Sequence, residues 1–329
     1  MSERNQRPTD PQTAGDISQQ PISRRELLKA GAVVAGTAPL WMANVAAGAA
    51  DLSTDGIDAH SHVWTPDVQR YPLAASFKVA DMLPPSFTPE QLLAQANPCG
   101  VARVVLIQMS YYRFDNRYML DCMHATPGTF SGVAVIDHQA QGVRDTMREL
   151  KRQGVRGFRI HPGTEAVEPW LASDAMAALW HQGANENLAM CALVNPEALG
   201  PLDQMCQRHP RTPVVIDHFA RIGVDGTVRD QDVESLCRLA RHERTHVKIS
   251  AFYALGKKQA PYLDLAPMIR RLRDAYGAER LMWATDCPYQ VEHGHTYRDS
   301  IELVRSRLDF LSDDERAWLL RKTAERVFF

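Results

Sequence analysis

Short apolar runs separated by longer amphipathic stretches recur along this chain from about residue 56 onward. Eight runs stand out, at 56–62, 101–108, 130–136, 154–161, 188–194, 213–218, 247–251 and 281–286. Most are rich in Val, Ile and Leu without polar alternation, the pattern of strands covered on both faces. The stretches between them carry helix signals. Thr88-Pro89-Glu90 supplies a capping hydroxyl, a proline at the first helical position and an acid in the first turn. Residues 230–242 and 265–276 space their apolar side chains at helical intervals, and 313–328 closes the chain as a final helix. Separations of roughly 25 to 50 residues between strands suit helical crossovers. The expected fold is therefore α/β, a single-domain (β/α)₈ TIM barrel. The longest loop, 64–87, holds four prolines and follows the first run, so it is expected over the barrel mouth as a lid or wall.

The first 49 residues break this pattern. A polar opening leads to Ser23-Arg24-Arg25-Glu26-Leu27-Leu28-Lys29, then an Ala-rich stretch interrupted by Pro39, then Ala47-Gly48-Ala49. That order resembles a twin-arginine export signal with an A-x-A cleavage site. The apolar stretch is too short and broken to span about 30 Å of hydrocarbon. Residues 1–49 are thus expected to be a cleavable export segment, 50–329 the barrel, and the periplasm the destination. The second segment suits one barrel, typically about 250 residues, better than two domains. No stable membrane insertion of the mature chain is expected.

A formal charge of -2 with 23% charged residues offers no basic surface for nucleic acid. A small-molecule substrate is the expected partner, with a homo-oligomer left open. The six cysteines show neither C-x-x-C nor zinc-finger spacing, and several lie in apolar stretches as buried thiols do. Cys287, directly after Asp286, is read as a packing residue rather than a nucleophile.

Candidate chemistry gathers where the apolar runs end. His60 and His62 end the first, His218 the sixth and Asp286 the eighth. In a parallel barrel these ends converge on one mouth. Residues two apart on a strand share a face, so His60 and His62 point inward together, where a paired set suits a divalent metal or a polarised carbonyl oxygen. Any one of the four, read alone, is a cap or a hydrogen-bonding core residue; their joint appearance on strands one, six and eight is far more specific. Arg159, Arg221 and Arg113 are candidates for bidentate carboxylate binding, each weighed against an ordinary structural salt bridge. Gln108, Ser110, Tyr112 and Tyr253 are candidates for orienting hydrogen bonds, with plain packing the alternative for Tyr253. His293 and His295, in the loop after the eighth run, lie near enough to the mouth to touch substrate but read more readily as exposed loop residues.

Several pieces together resemble a known family. They are Asp58-Ala59-His60-Ser61-His62, Gln108-Met109-Ser110-Tyr111-Tyr112 leading to Asp115-Asn116-Arg117-Tyr118, Gly154-Val155-Arg156-Gly157-Phe158-Arg159, Val215-Ile216-Asp217-His218, Val247-Lys248-Ile249-Ser250 and Thr285-Asp286-Cys287-Pro288. The chain resembles the amidohydrolase superfamily in its amidohydrolase-2 branch, which holds lactonases of pyrone dicarboxylates, sugars and sulfomuconolactone. The resemblance implies a hydrolase that opens a carboxylated or polyhydroxylated lactone. Asp286 would be the general base for water, and His60, His62 and His218 would polarise the carbonyl, directly or through a metal. The absence of a G-x-S-x-G elbow agrees with attack by water.

For a metal, zinc first, the implied ligands are His60, His62, His218 and Asp286, with His161 as a substitute. Many metal-dependent members add a histidine on strand five or a carboxylated lysine on strand four. The fifth run, Leu188-Ala189-Met190-Cys191-Ala192-Leu193-Val194, has neither, so catalysis with and without a metal both stay open. Two other readings are a metal-dependent decarboxylase or hydratase, opposed by the missing strand-five histidine, and an exported non-catalytic binding protein, opposed by the intact set of four.

Overall fold

Eight parallel strands form in the computed structural model, which describes residues 55–162 and 166–329. They are β1 (Gly56–Ser61), β2 (Val101–Ile107), β3 (Phe130–Ala134), β4 (Val155–Ile160), β5 (Ala189–Ala192), β6 (Val214–Ile216), β7 (Thr245–Ile249) and β8 (Leu281–Trp283). The expected export segment, 1–49, lies outside the described residues. Each strand pairs with the next in sequence order. A parallel bridge between Ser61 and Cys287 draws the ring together. Two backbone hydrogen bonds support it, from Asp286 N–H to the His60 carbonyl and from His62 N–H to the Cys287 carbonyl, both 2.8 Å. With helices around the strands, this is a nearly closed TIM barrel.

Most strands stop short of their apolar runs, chiefly at the carboxyl end, because the chain leaves the ladder there to build the mouth. β7 instead begins two residues early. Thr245 and His246 are polar, yet both are buried and pair with Val214 and Val215 of β6.

Alternate strand residues fill the barrel. Val105 and Ile107, Ala189 and Cys191, and Met282 and Ala284 meet Ile57, Ala59, Val133 and Val215 in one apolar cluster. Ala324 and Phe328 of the last helix, Thr323–Phe328, complete it, and the Ser131 hydroxyl donates to the Phe328 carbonyl at 2.5 Å. A larger cluster, including Trp180, Leu202, Leu236 and Leu272, lies between strands and helices. Each fully buried large side chain of this kind contributes about 1.5–3 kcal/mol.

The helices follow their local signals. Thr88 and Gln91 cap reciprocally, Oγ1 accepting from Gln91 N–H and Gln91 Oε1 accepting from Thr88 N–H, and the helix Pro89–Ala96 buries Leu92 and Ala96. The final helix expected at 313–328 is helical throughout, with a π-turn at Trp318–Lys322 between Asp313–Ala317 and Thr323–Phe328.

Loop 64–87 is a braced wall. Trp64 and Phe87 exchange backbone hydrogen bonds of 2.8 and 3.0 Å across its base. The Trp64 indole donates to the Pro84 carbonyl, and the Tyr111 hydroxyl donates to the Asp81 carbonyl. No described helix is long and apolar enough to cross a membrane.

The seam between β1 and β8 rests on Asp58. On its other edge β1 pairs with β2, with a register shift between Asp58 and Ser61. The Asp58 side chain reaches the segment after β8. There the wholly buried carboxylate accepts from the backbone N–H of His60 and Thr285 and from the hydroxyls of Ser61, Thr285 and Tyr297. Burial raises its pKa above the ordinary carboxylate value, against the pull of those donors. Asp58→Ala orphans all of them. It should lower unfolding free energy by about 3 kcal/mol, seen as a lower urea midpoint at unchanged slope. A loss below about 1 kcal/mol would show that this carboxylate does not hold the seam.

Candidate active site

Inward alternation explains most of the mouth. Arg159 follows Gly157 by two on β4, Asp217 follows Val215 by two after β6, and Asp286 follows Ala284 by two after β8. Lys248 lies within β7, between the outward Val247 and Ile249. Alternation alone would send His218 outward, on the opposite side from Asp217. The chain prevents this with a left-handed turn, in which His218, Phe219 and Ala220 take φ of 50°, 53° and 53°. Asp286 itself has φ 72° and Ala251, just after β7, has φ 56°. Each such non-glycine residue costs about 1–2 kcal/mol, which the tight burial of Phe219, Ala220, Phe252 and Cys287 offsets.

These devices converge on one carboxylate oxygen. Asp286 Oδ1 lies 3.5 Å from His60 Nε2, 3.3 Å from His62 Nε2 and 3.8 Å from His218 Nε2. The rings crowd together, with centroids 4.3 Å apart for His60 and His218 and 5.1 Å for His60 and His62. Asp286 Oδ2 is taken by the Tyr253 hydroxyl, which donates at 2.7 Å.

Each imidazole is held from behind. His62 donates through Nδ1 to the Ile107 carbonyl, 2.9 Å away, so a neutral His62 presents a lone pair at Nε2. That lone pair faces the Asp286 carboxylate, and only a proton or another cation between them makes the contact attractive. His218 Nδ1 sits 2.8 Å from the Ser250 hydroxyl, which can donate to it and leave Nε2–H pointing at the mouth. His60 stands between two ion pairs. Its Nδ1 is 3.2 Å from Lys248 Nζ and 3.4 Å from Asp217 Oδ1, and its Nε2 is 3.1 Å from Arg159 Nη2 besides Asp286. Lys248 and Asp217 pair at 3.0 Å, both fully buried. In either tautomer, the N–H of His60 meets a carboxylate and its lone pair meets a cation.

Burial holds the His60 ring well below the ordinary imidazole range, with Lys248 and His218 adding to the effect. Burial also lowers His218, to about 4, against the attraction of Asp286 and Asp217. For Asp286 burial acts upward, but the surrounding histidines, His218 first, bring it below the usual carboxylate range. Asp217 is likewise raised by burial and lowered further by Lys248, ending far below that range. Tyr253 is pushed well above the usual phenol value, by burial and then by Asp286, so it remains a donor.

Other expected residues take different places. Gln108 is buried and donates to the carbonyls of Arg113 and Asp115, bracing the second βα loop, while the Tyr112 hydroxyl accepts from Thr65 N–H. Ser110 and Arg113 are exposed on that loop, with the Arg113 guanidinium 5.1 Å over the Phe114 ring. Arg221, half-buried, ends the left-handed turn. His161 is exposed, its Nδ1 3.0 Å from the Leu193 carbonyl, and lies outside the metal-capable group. His293 and His295 follow β8; His295 Nδ1 lies 2.8 Å from the Tyr262 hydroxyl. Asp217, Lys248 and Ser250 carry no role in the sequence reading. The signal for the first two was there: a charged residue at an inward position of an otherwise apolar strand.

Among the described residues, His60, His62 and Asp286 form a group that could hold a metal, with ligand atoms within 4.8 Å of one another. The donor set fits. The Nδ1–H of His62 goes to a backbone carbonyl and its Nε2 faces a carboxylate, the usual posture of a metal-ligating histidine. At His60, however, the guanidinium of Arg159 addresses the same Nε2.

A TIM barrel with histidines of its first and sixth strands gathered on a carboxylate of its eighth is the arrangement of an enzyme that works at the barrel mouth. The chain belongs to the amidohydrolase family, whose sequence model, described as "Amidohydrolase", matches residues 57–329. It is 28% identical to an L-fucono-1,5-lactonase of Burkholderia ambifaria over 243 residues, 73% of this chain and 82% of the relative. It is 27% identical to a 2-pyrone-4,6-dicarboxylate hydrolase of Comamonas testosteroni over 272 residues, 79% and 86% of the two chains. A solved putative 2-pyrone-4,6-dicarboxylic acid hydrolase of Pseudomonas putida superposes with a TM-score of 0.69 at 25% identity, covering 84% of this chain and 97% of that one. The protein is an enzyme, an ester-bond hydrolase of the amidohydrolase superfamily.

The buried histidines make stability depend on pH. His218 and His246 are both lowered to about 4, and His60 lies well below its ordinary value of 6.5. Between about pH 4 and 6.5 the unfolded chain binds protons that these rings refuse, so stability should rise with pH across that window. A urea midpoint lower at pH 5 than at pH 7 checks this; equal midpoints would mean that the folded rings charge freely.

Proposed function

We propose that this enzyme hydrolyses a lactone bearing carboxylate or hydroxyl groups, with Asp286 as the general base. The observation that carries the reading is the convergence of three imidazole nitrogens on one Asp286 oxygen, while Tyr253 occupies the other. The relatives' action on an L-fucono-1,5-lactone and on a pyrone dicarboxylate supports a cyclic ester as substrate.

Asp286 stays ionised at neutral pH because its neighbours lower its pKa. With Oδ2 engaged by Tyr253, Oδ1 accepts the proton of the attacking water. The water oxygen bonds to the lactone carbonyl carbon, and the carbonyl oxygen takes up negative charge. His218, its Nδ1 satisfied by Ser250, offers Nε2–H to that oxygen. His60, with Arg159 beside it, adds a second polar contact on the same side. When the intermediate collapses the ring C–O bond breaks, and the departing oxygen takes the proton from Asp286, which restores the carboxylate. The Arg159 side chain is 12% exposed and already placed at the mouth, where a substrate carboxylate can meet its fork. A divalent ion held by His60, His62 and Asp286, zinc first by its preference for nitrogen and oxygen donors, would supply Lewis-acid polarisation of the same carbonyl.

Asp286→Asn keeps shape and removes basicity. On the lactone that the wild-type enzyme opens, kcat should fall by about a thousandfold, followed as acid release with a pH indicator. Turnover within about tenfold of wild type would remove Asp286 from the role of base.

A further inference from the structure

We propose that Arg159 and Lys248 set the divalent-metal affinity of this site, and hold it low by surrounding His60 with fixed positive charge. This goes beyond the hydrolytic reading and stands whichever ring the enzyme opens.

The site divides into two halves with opposite preferences. On one side, His62 turns its Nε2 lone pair onto Asp286 Oδ1 at 3.3 Å, a contact between two acceptors that calls for a cation. On the other side, His60 is the third potential ligand, and both of its nitrogens already face cations, Arg159 Nη2 at 3.1 Å and Lys248 Nζ at 3.2 Å. Guanidinium and ammonium groups only donate, and a neutral imidazole has a single lone pair. Arg159 therefore competes with a metal for Nε2 directly, whereas Lys248 acts through charge.

The charges lining His60 cancel without an ion. Lys248 and Arg159 face Asp217 and Asp286, with Lys248 and Asp217 fully buried and Arg159 3.8 Å from Asp217. A divalent ion would leave two uncompensated positive charges in a site that burial shields from water. Removing one cation relieves that excess and, at Arg159, also frees the His60 nitrogen.

Zinc binding to the full-length chain tests this directly. Wild type, Arg159→Met, Arg159→Lys, Lys248→Met and the double variant Lys248→Met with Asp217→Asn are stripped with a chelator. They are then titrated with zinc against a chromophoric chelator, and zinc per chain is measured by elemental analysis. Arg159→Met and Lys248→Met should each bind zinc at least about tenfold tighter than wild type, equivalent to about 1.4 kcal/mol. Arg159→Lys, which keeps the charge, and the double variant, which removes one charge of each sign, should stay within about threefold of wild type. A purely structural role for either cation would loosen the donors and weaken binding, a change of opposite sign. Lys248→Met leaves Asp217 unpaired; if it does not fold by circular dichroism, Arg159→Met, at a partly exposed position, decides alone. Zinc affinity in Arg159→Met no higher than wild type overturns the proposal. So does a wild-type chain that keeps one zinc through chelation.

Discussion

The hydrogen bonds that tie the end of β1 to the segment after β8 are the constraint on which the site depends. His60 and Asp286 share one of them through their own backbones, and His62 and Cys287 share the next. The side chains that would activate water and polarise a carbonyl are therefore fixed by main-chain geometry, more than two hundred residues apart in sequence. Asp58 ties the same seam from below, joining the β1 backbone to Thr285 and to Tyr297 of the helix beyond β8. A carboxylate that holds the seam and one placed to act in chemistry thus lie a few residues apart in space, and their surroundings separate them. Asp58 is met by neutral donors and is raised by burial, whereas Asp286 is surrounded by imidazoles and is lowered.

His60 shows how a buried polar cluster keeps its charge in balance. An isolated buried ion is expensive, and a half-satisfied network is worse than an apolar core. Here the cost is met by matching, since each nitrogen of His60 faces one cation and one carboxylate. Lys248 is the unexpected member, a fully buried lysine above the Phe328 ring that closes the barrel. Its pairing with Asp217 links the apolar floor to the polar mouth.

The fold was legible because parallel strands buried on both faces read as unbroken apolar runs, and all eight runs became strands. The alternating segments between them fixed the βα order, and Thr88 with Pro89 marked a helix start that forms as read. Within the site, His60, His62, His218 and Asp286 were legible from their positions at strand ends, and these four do meet. Less was readable for residues whose partners are set only in three dimensions. Gln108 and Tyr112 end up bracing loops, Gln108 through the Asp115 carbonyl and Tyr112 through the Thr65 amide. Asp217 and Lys248 could have been found by strict alternation along β6 and β7. Alternation also turns Ser250 inward, two residues after Lys248, but its tie to His218 exists only because the chain turns at 218.

Those turns place side chains that regular strands would direct elsewhere. A strand delivers one residue in two to the barrel interior, so Asp217 and His218 cannot both face inward from a regular strand. The left-handed residues 218–220 break that rule for β6, so that His218 meets Ser250, and Ala251 departs from it after β7, just ahead of the Tyr253 that reaches Asp286. Asp286 has left the regular region as well, at φ 72°. All three departures lie at the carboxyl ends of neighbouring strands, and all are packed tightly enough to persist. Glycine at these positions would adopt the same backbone without strain, but it could not supply the imidazole of His218 or the carboxylate of Asp286. The strain is therefore the structural cost of presenting these side chains where the backbone would otherwise call for glycine.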